Sequence, residues 1–94
     1  MTVEQLIKEK KGTIVDVRSA GEFSGGHVAG SRNIALQEIP AKIEELKSLE
    51  QPLILCCASG NRSGQATQYL SQHGFECYNG GSWMTVNYFQ SQAV

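Results

Sequence analysis

The six residues Pro52-Leu53-Ile54-Leu55-Cys56-Cys57 are the most apolar stretch of the chain, and a turn-rich loop from Ala58 to Asn61 follows at once. A short apolar run bounded by turn residues reads as a strand buried on both faces, the kind found inside a parallel sheet. Other segments fit such a sheet. Thr13-Ile14-Val15-Asp16-Val17 is β-branched and mostly apolar, Asn33-Ile34-Ala35-Leu36 reads as a weaker strand, and Phe75-Glu76-Cys77-Tyr78 as a short one.

Helical patterns separate these strands. Thr2 to Lys10 opens with Thr2 as a cap and Gln5 three residues on, places Val3, Leu6 and Ile7 on one face, and stops at Gly12. Ser19 caps a short helix through Phe23, ended by Gly25-Gly26. Pro40 suits the first turn of an amphipathic helix carrying Ile43, Leu46 and Leu49 to about residue 49. Arg62 to His73 turns Ala66, Tyr69 and Leu70 inward and closes at Gly74. Gly80-Gly81 reads as a turn, Trp83 to Phe89 as a last helix, and the polar tail beyond Phe89 is expected to fray. The expectation is one α/β domain over residues 1–94: an open, largely parallel sheet of four to five strands with helices on both faces. Ligands in such sheets bind beyond the carboxyl ends of the strands, which directs attention to the loop after Cys57.

Composition excludes several functions. Eight Lys+Arg against nine Asp+Glu give a net charge of −1, which offers no footprint for nucleic acid or an acidic membrane surface. No apolar run approaches the ~18 residues needed to span a bilayer. Met1-Thr2-Val3-Glu4-Gln5-Leu6 lacks the apolar core of a signal peptide, so a soluble, cytoplasmic domain is expected. Three cysteines cannot make a complete disulfide framework. With no Cys-x-x-Cys and with His27 and His73 isolated, neither a metal nor any other cofactor is expected.

The cysteine loop carries the chemistry. A strand delivers the Cys57 thiol to the sheet edge, and Ala58-Ser59-Gly60-Asn61-Arg62 can curl peptide N–H groups around the sulfur. The following helix aims its amino terminus at the same point, equivalent to roughly half a positive charge. The Arg62 guanidinium adds a full one. Such surroundings lower a thiol pKa from about 8.5 to roughly 3.5–7.5 and leave a nucleophile beside an anion pocket. Cys56 must point to the other side of the strand and reads as a small packed hydrophobe, as does Cys77.

At these residues the chain resembles the rhodanese (sulfurtransferase) domains. Cys57, Gly60 and Arg62 match a Cys-x-x-Gly-x-Arg active loop. Asp16-Val17-Arg18, Glu22-Phe23, Gly26-His27-Val28, Gly30 and Asn33-Ile34 follow the family's amino-terminal signature, and Gly80-Gly81 with Trp83 its carboxy-terminal one. The resemblance is strongest over residues 12–83. It implies ping-pong sulfur transfer through a persulfide on Cys57, from thiosulfate or a related persulfide donor to cyanide or a thiol acceptor, a small redox protein among the candidate acceptors. Backbone amides of Ala58, Ser59, Gly60, Asn61 and Arg62 would stabilise the persulfide, and the Arg62 side chain would hold a small anionic donor. Asp16, Arg18, Glu22 and His27 are implied as supporting residues that brace the loop, with His27 a hydrogen-bonded loop histidine. Arg18 and Glu22, four apart at a helix start, are expected to pair. Trp83 is expected to pack in the core.

Phosphatases and arsenate reductases of the same superfamily use Cys-x5-Arg, a loop one residue longer. Counted from Cys56 this chain also gives five intervening residues, and counted from Cys57 four. Both families place glycine three after the nucleophile, which is Gly60 from Cys57 but Ser59 from Cys56. Leu55, not histidine, precedes Cys56. The sulfur-transfer register is therefore preferred, with two alternatives carried: a non-catalytic rhodanese-like binding module, and a phosphatase or arsenate reductase built on Cys56.

Overall fold

The computed structural model of the chain describes residues 1–92. Strands β1 (Thr13–Asp16), β2 (Arg32–Asn33), β3 (Leu53–Cys57) and β4 (Cys77–Ser82) form one sheet in the order β2-β1-β3-β4, every adjacent pair parallel. Helices α1 (Val3–Lys8), α2 (Ala20–Ser24), α3 (Ile43–Lys47), α4 (Asn61–Gln72) and α5 (Trp83–Ser91) alternate with them. The expected α/β architecture is thus present, with four strands. Among the described residues no helix is long and apolar enough to cross a membrane.

Strand alternation divides the core in two. Val15, Val17, Leu53, Leu55 and Cys57 turn to one face, where Ala66 and Leu70 of α4 cover them together with Ile39 and Leu46. Ile54 and Cys56 turn to the other, against Leu6 and Ile7 of α1 and Val86 of α5. All five residues of β3 are buried, which is why its sequence shows no polar alternation. Each buried leucine or isoleucine contributes roughly 1.5–3 kcal/mol, so this strand anchors both cores. Two capping boxes start helices as the sequence suggests. Thr2 Oγ1 accepts the Gln5 N–H while Gln5 Oε1 accepts the Thr2 N–H, and Ser19 and Glu22 do the same at α2.

The structure corrects several boundaries. Only Arg32–Asn33 pairs as β2, because the chain leaves the sheet into a 3-10 segment, Leu36–Lys42, whose Leu36 N–H bonds the Val17 carbonyl. Pro40 sits inside that segment and not in the first turn of a long helix. Lacking an N–H, it interrupts an α-helical ladder, and α3 begins only at Ile43 and ends at Lys47. Strand β4 starts at Cys77 and runs through Gly80-Gly81, where a turn was expected. Leu55 lies opposite Asn79 and Cys56 opposite Gly81, so Gly80 is an extra residue, a β-bulge. A Cβ on Gly80 would stand 2.9 Å from Ile54 Cγ2 and 3.1 Å from the Leu55 carbonyl oxygen, so glycine is what lets β4 close on β3. Helix α5 continues to Ser91 where fraying was expected; residues 93–94 of that tail lie outside the described residues.

Candidate active site

Cys57 ends β3 at the carboxyl edge of the sheet, and Gly60 caps α4 with φ +97°, a left-handed conformation that costs glycine little. That turn folds the loop back over the sulfur. The Gly60 N–H donates to Cys57 Sγ at 3.0 Å and the Ser63 N–H at 3.4 Å, while Ser63 Oγ stands 3.3 Å away. The first turn of the twelve-residue helix α4 adds its dipole at the same point. Of the amides expected around the sulfur, that of Gly60 donates directly at 3.0 Å and that of Ser59 adds to the stabilisation of the thiolate. The left-handed turn brings in Ser63 in place of Ala58, Asn61 and Arg62.

Cys57 has no solvent-exposed surface and belongs to the first core cluster. Burial pushes its pKa up, but the Ser63 hydroxyl and the peptide N–H groups of Ser63, Ser59 and Gly60 together outweigh it, and the thiol lies below its ordinary value. Cys56, one residue earlier, behaves oppositely. Burial first, then the nearby Asp16 charge, pushes it up to about 12. One peptide unit therefore separates a thiol shifted toward its thiolate from one pushed toward its protonated form. Cys77 is also raised by burial and donates to the Thr67 carbonyl at 3.4 Å, in keeping with a packing role.

Arg62 does not stand free. Its Nη1 and Nη2 donate to Glu22 Oε1 and Oε2 at 2.8 and 3.1 Å. The expected Arg18–Glu22 pair is accordingly absent. Arg18 instead sits buried, donating from Nη2 and Nε to Asp16 Oδ2 at 2.7 and 3.0 Å and from Nη2 to the Gly26 carbonyl at 2.7 Å. Buried Asp16 takes the Arg18 side chain, whose Nη1 reaches only the Glu22 backbone carbonyl at 3.4 Å, and the Glu22 carboxylate is left to close the Ser19 capping box and hold Arg62. Asn33 Nδ2 donates to the carbonyls of Asp16 and Arg18, and half-buried Trp83 stacks on the Arg18 guanidinium with 4.7 Å from ring centre to Cζ. The two outer signatures thus meet in one braced unit beside the cysteine loop. His27 is exposed, stacked on Phe23 at 3.8 Å, its Nδ1 2.8 Å from the Phe23 carbonyl oxygen.

Two residues escaped the sequence reading. Ser63 follows Arg62 in the first turn of α4 and is fully buried, and Asn79 on β4 reaches its hydroxyl at 2.7 Å. The position of Ser63, six after Cys57 on the loop-facing turn, was a readable signal. Asn79 depends on the bulge at Gly80 and was not. A cleft of about 680 Å³ lies at the opposite end of the sheet, lined in part by Lys10, Lys11, Thr13, Arg32 and Glu50, and brings no thiol to its walls.

Residues 2–83 match the rhodanese-like domain. The chain is 39% identical over 71 residues to the uncharacterized protein YqhL of Bacillus subtilis, covering 74% of this chain and 56% of that protein. It is 32% identical over 72 residues to the thiosulfate sulfurtransferase GlpE of Shewanella oneidensis, covering 77% and 70% respectively. Among solved structures, the human single-domain sulfurtransferase TSTD1 superposes with a TM-score of 0.69 at 28% identity, over 88% of this chain and 87% of that one.

Proposed function

The chain belongs to the rhodanese-like domain family, and from that membership together with the cysteine loop we propose that it is a sulfurtransferase with Cys57 as its nucleophile. The observation that carries this reading is the hydrogen bonding of a buried sulfur by the Gly60 and Ser63 N–H groups at the head of α4. Fixed peptide dipoles stabilise charge on sulfur without reorganising, which serves both the attacking thiolate and a persulfide.

In the proposed cycle the Cys57 thiolate attacks the sulfane sulfur of thiosulfate. The Cys57 S–S bond forms as the donor's S–S bond breaks, and sulfite leaves with the electron pair. Cyanide or an acceptor thiolate then attacks the outer sulfur, releasing thiocyanate or an acceptor persulfide and restoring the Cys57 thiolate. No external oxidant or metal enters the balance. Because the sulfur is enclosed, the loop over residues 58–60 must shift to admit a donor. Arg62, turned from Glu22, would hold the donor's sulfonate.

A Cys56 phosphatase or arsenate reductase finds no support in the geometry: that thiol faces the α1–α5 core and is pushed up to about 12. The test is intact-mass and fragment mass spectrometry after thiosulfate. A labile gain of about 32 Da on Cys57 is expected, and is reversed by cyanide or dithiothreitol. Protein that stays unmodified and releases no thiocyanate would leave the binding-module reading in its place.

A further inference from the structure

The Asn79 side chain is fixed from two sides. Its Oδ1 accepts the Gly81 N–H at 2.9 Å, and its Nδ2 donates to the Gly60 carbonyl at 3.1 Å. With the amide so oriented, Oδ1 can only accept, and the 2.7 Å contact to Ser63 must therefore be Ser63 O–H donating to Asn79. A serine hydroxyl has one proton. While that proton points at Asn79, Ser63 Oγ can only accept from Cys57 at 3.3 Å, which requires the thiol form. Stabilising the thiolate requires the hydroxyl to turn from Asn79 to Sγ.

We propose that Asn79 is a positioning residue that holds back ionisation of Cys57 by competing with its sulfur for the single proton of Ser63. Two arrangements follow. In the neutral one, Cys57 S–H donates to Ser63 and Ser63 O–H to Asn79. In the ionised one, the thiol proton has left to solvent, Ser63 O–H donates to Sγ, and Asn79 Oδ1 keeps only the Gly81 N–H. Ionisation reverses the Cys57–Ser63 hydrogen bond and gives up the Ser63–Asn79 one, so the serine acts as a two-position switch between neutral and charged sulfur. The other charged or titratable groups around Cys57 are Cys56 on β3, Arg62 on α4 with its partner Glu22 on α2, and the Asp16–Arg18 pair after β1. None of these forms a hydrogen bond to Ser63, so the competition can be isolated by substitution.

The inference rests on the reading of Cys57 as the nucleophile, but its readout is thiol ionisation, so it can fail while sulfur transfer stands, and the reverse. The experiment is the pH dependence of iodoacetamide alkylation, read at Cys57 by fragment mass spectrometry, in a double-mutant cycle of Asn79→Ala and Ser63→Ala. With Ser63 present, Asn79→Ala is expected to lower the Cys57 pKa by about half a unit to one unit, roughly a three- to tenfold gain in thiolate below the pKa. In the Ser63→Ala background the same change should leave the pKa where it is, and Ser63→Ala alone should raise it. Asn79→Leu, which keeps the side-chain bulk without an acceptor, should repeat the result if Asn79→Ala folds poorly. An unchanged or raised pKa in Asn79→Ala and Asn79→Leu, or an equal fall with and without Ser63, would overturn the proposal.

Discussion

Glu22 and Arg62 stand forty residues apart in sequence and meet through two hydrogen bonds of 2.8 and 3.1 Å, joining the helix after β1 to the helix after β3. The guanidinium proposed to hold an anionic donor is thereby already occupied. Glu22→Gln is expected to loosen that hold and lower the KM for thiosulfate by roughly two- to fivefold with little change in kcat, since exposed pairs are weak. Steady-state kinetics with thiosulfate and cyanide check it, and a raised KM would speak against Arg62 as the donor's holder.

The same pair makes a prediction in acid. The Arg62 guanidinium, with the Ser19 N–H, lowers Glu22 from its ordinary 4.5 to about 2. A carboxylate depressed on folding stabilises fully above its unfolded pKa and loses that contribution as the pH falls through the folded one. Wild type and Glu22→Gln should therefore differ in denaturant stability above about pH 4.5 and converge toward pH 2. A difference that persisted unchanged at pH 2 would show that the carboxylate charge is not its source.

Substituting the two adjacent cysteines should separate chemistry from packing. Cys57→Ser is expected to abolish sulfur transfer while keeping the melting temperature within a few degrees. Cys56→Ser places a hydroxyl among Ile54, Leu6 and Val86, and an unsatisfied buried group there should cost about 1–3 kcal/mol while transfer survives. Parallel activity assays and thermal melts distinguish the two, and the reverse pattern would move the nucleophile to Cys56.

Asp16 and Arg18 are both buried, so removing one partner strands the other. Asp16→Ala is expected to cost about 3–5 kcal/mol, which in a domain this small corresponds to a fall in Tm of more than roughly 12 °C. Calorimetry decides, and a loss under ~1 kcal/mol would mean that water reaches Arg18 more freely than the structure implies.

At Gly80 the constraint is space. An alanine Cβ would meet Ile54 Cγ2 and Val86 Cγ2 at 2.9 and 3.0 Å and the Leu55 carbonyl oxygen at 3.1 Å, so Gly80→Ala should destabilise by about 1–3 kcal/mol. Because Asn79 is its neighbour, the alkylation rate at Cys57 should change as well. Chemical denaturation and alkylation on the same variant test the pair of effects.

Local chemistry made much of this legible in the sequence. The apolar run at 53–57 gives the buried strand, Thr2 with Gln5 and Ser19 as a cap give helix starts, and Cys57-x-x-Gly60 followed by a helix gives the turn at the sulfur. What stayed hidden depends on partners far along the chain. Gly80-Gly81 looks like a turn because glycine punctuates turns, but pairing with β3 overrides that preference. Arg18 and Glu22 have the spacing of a helical ion pair, yet buried Asp16 outcompetes an exposed carboxylate for the guanidinium. Ser63 carries a signal of position but not of direction, since its proton's destination is set by Asn79 across the sheet edge.

The opposite facings of Cys56 and Cys57 also determine what can befall a sulfur stored on the second. A persulfide is ordinarily vulnerable to any thiol nearby, which can expel hydrosulfide and close a disulfide in its place. Here the adjoining thiol is sealed behind the sheet, and reaching round would require tearing β3 out of both layers. Cys77 stands opposite Leu53, four residues back along the ladder and roughly 13 Å away. Cargo loaded on Cys57 would thus have no internal sink and would wait for whichever acceptor arrives from outside.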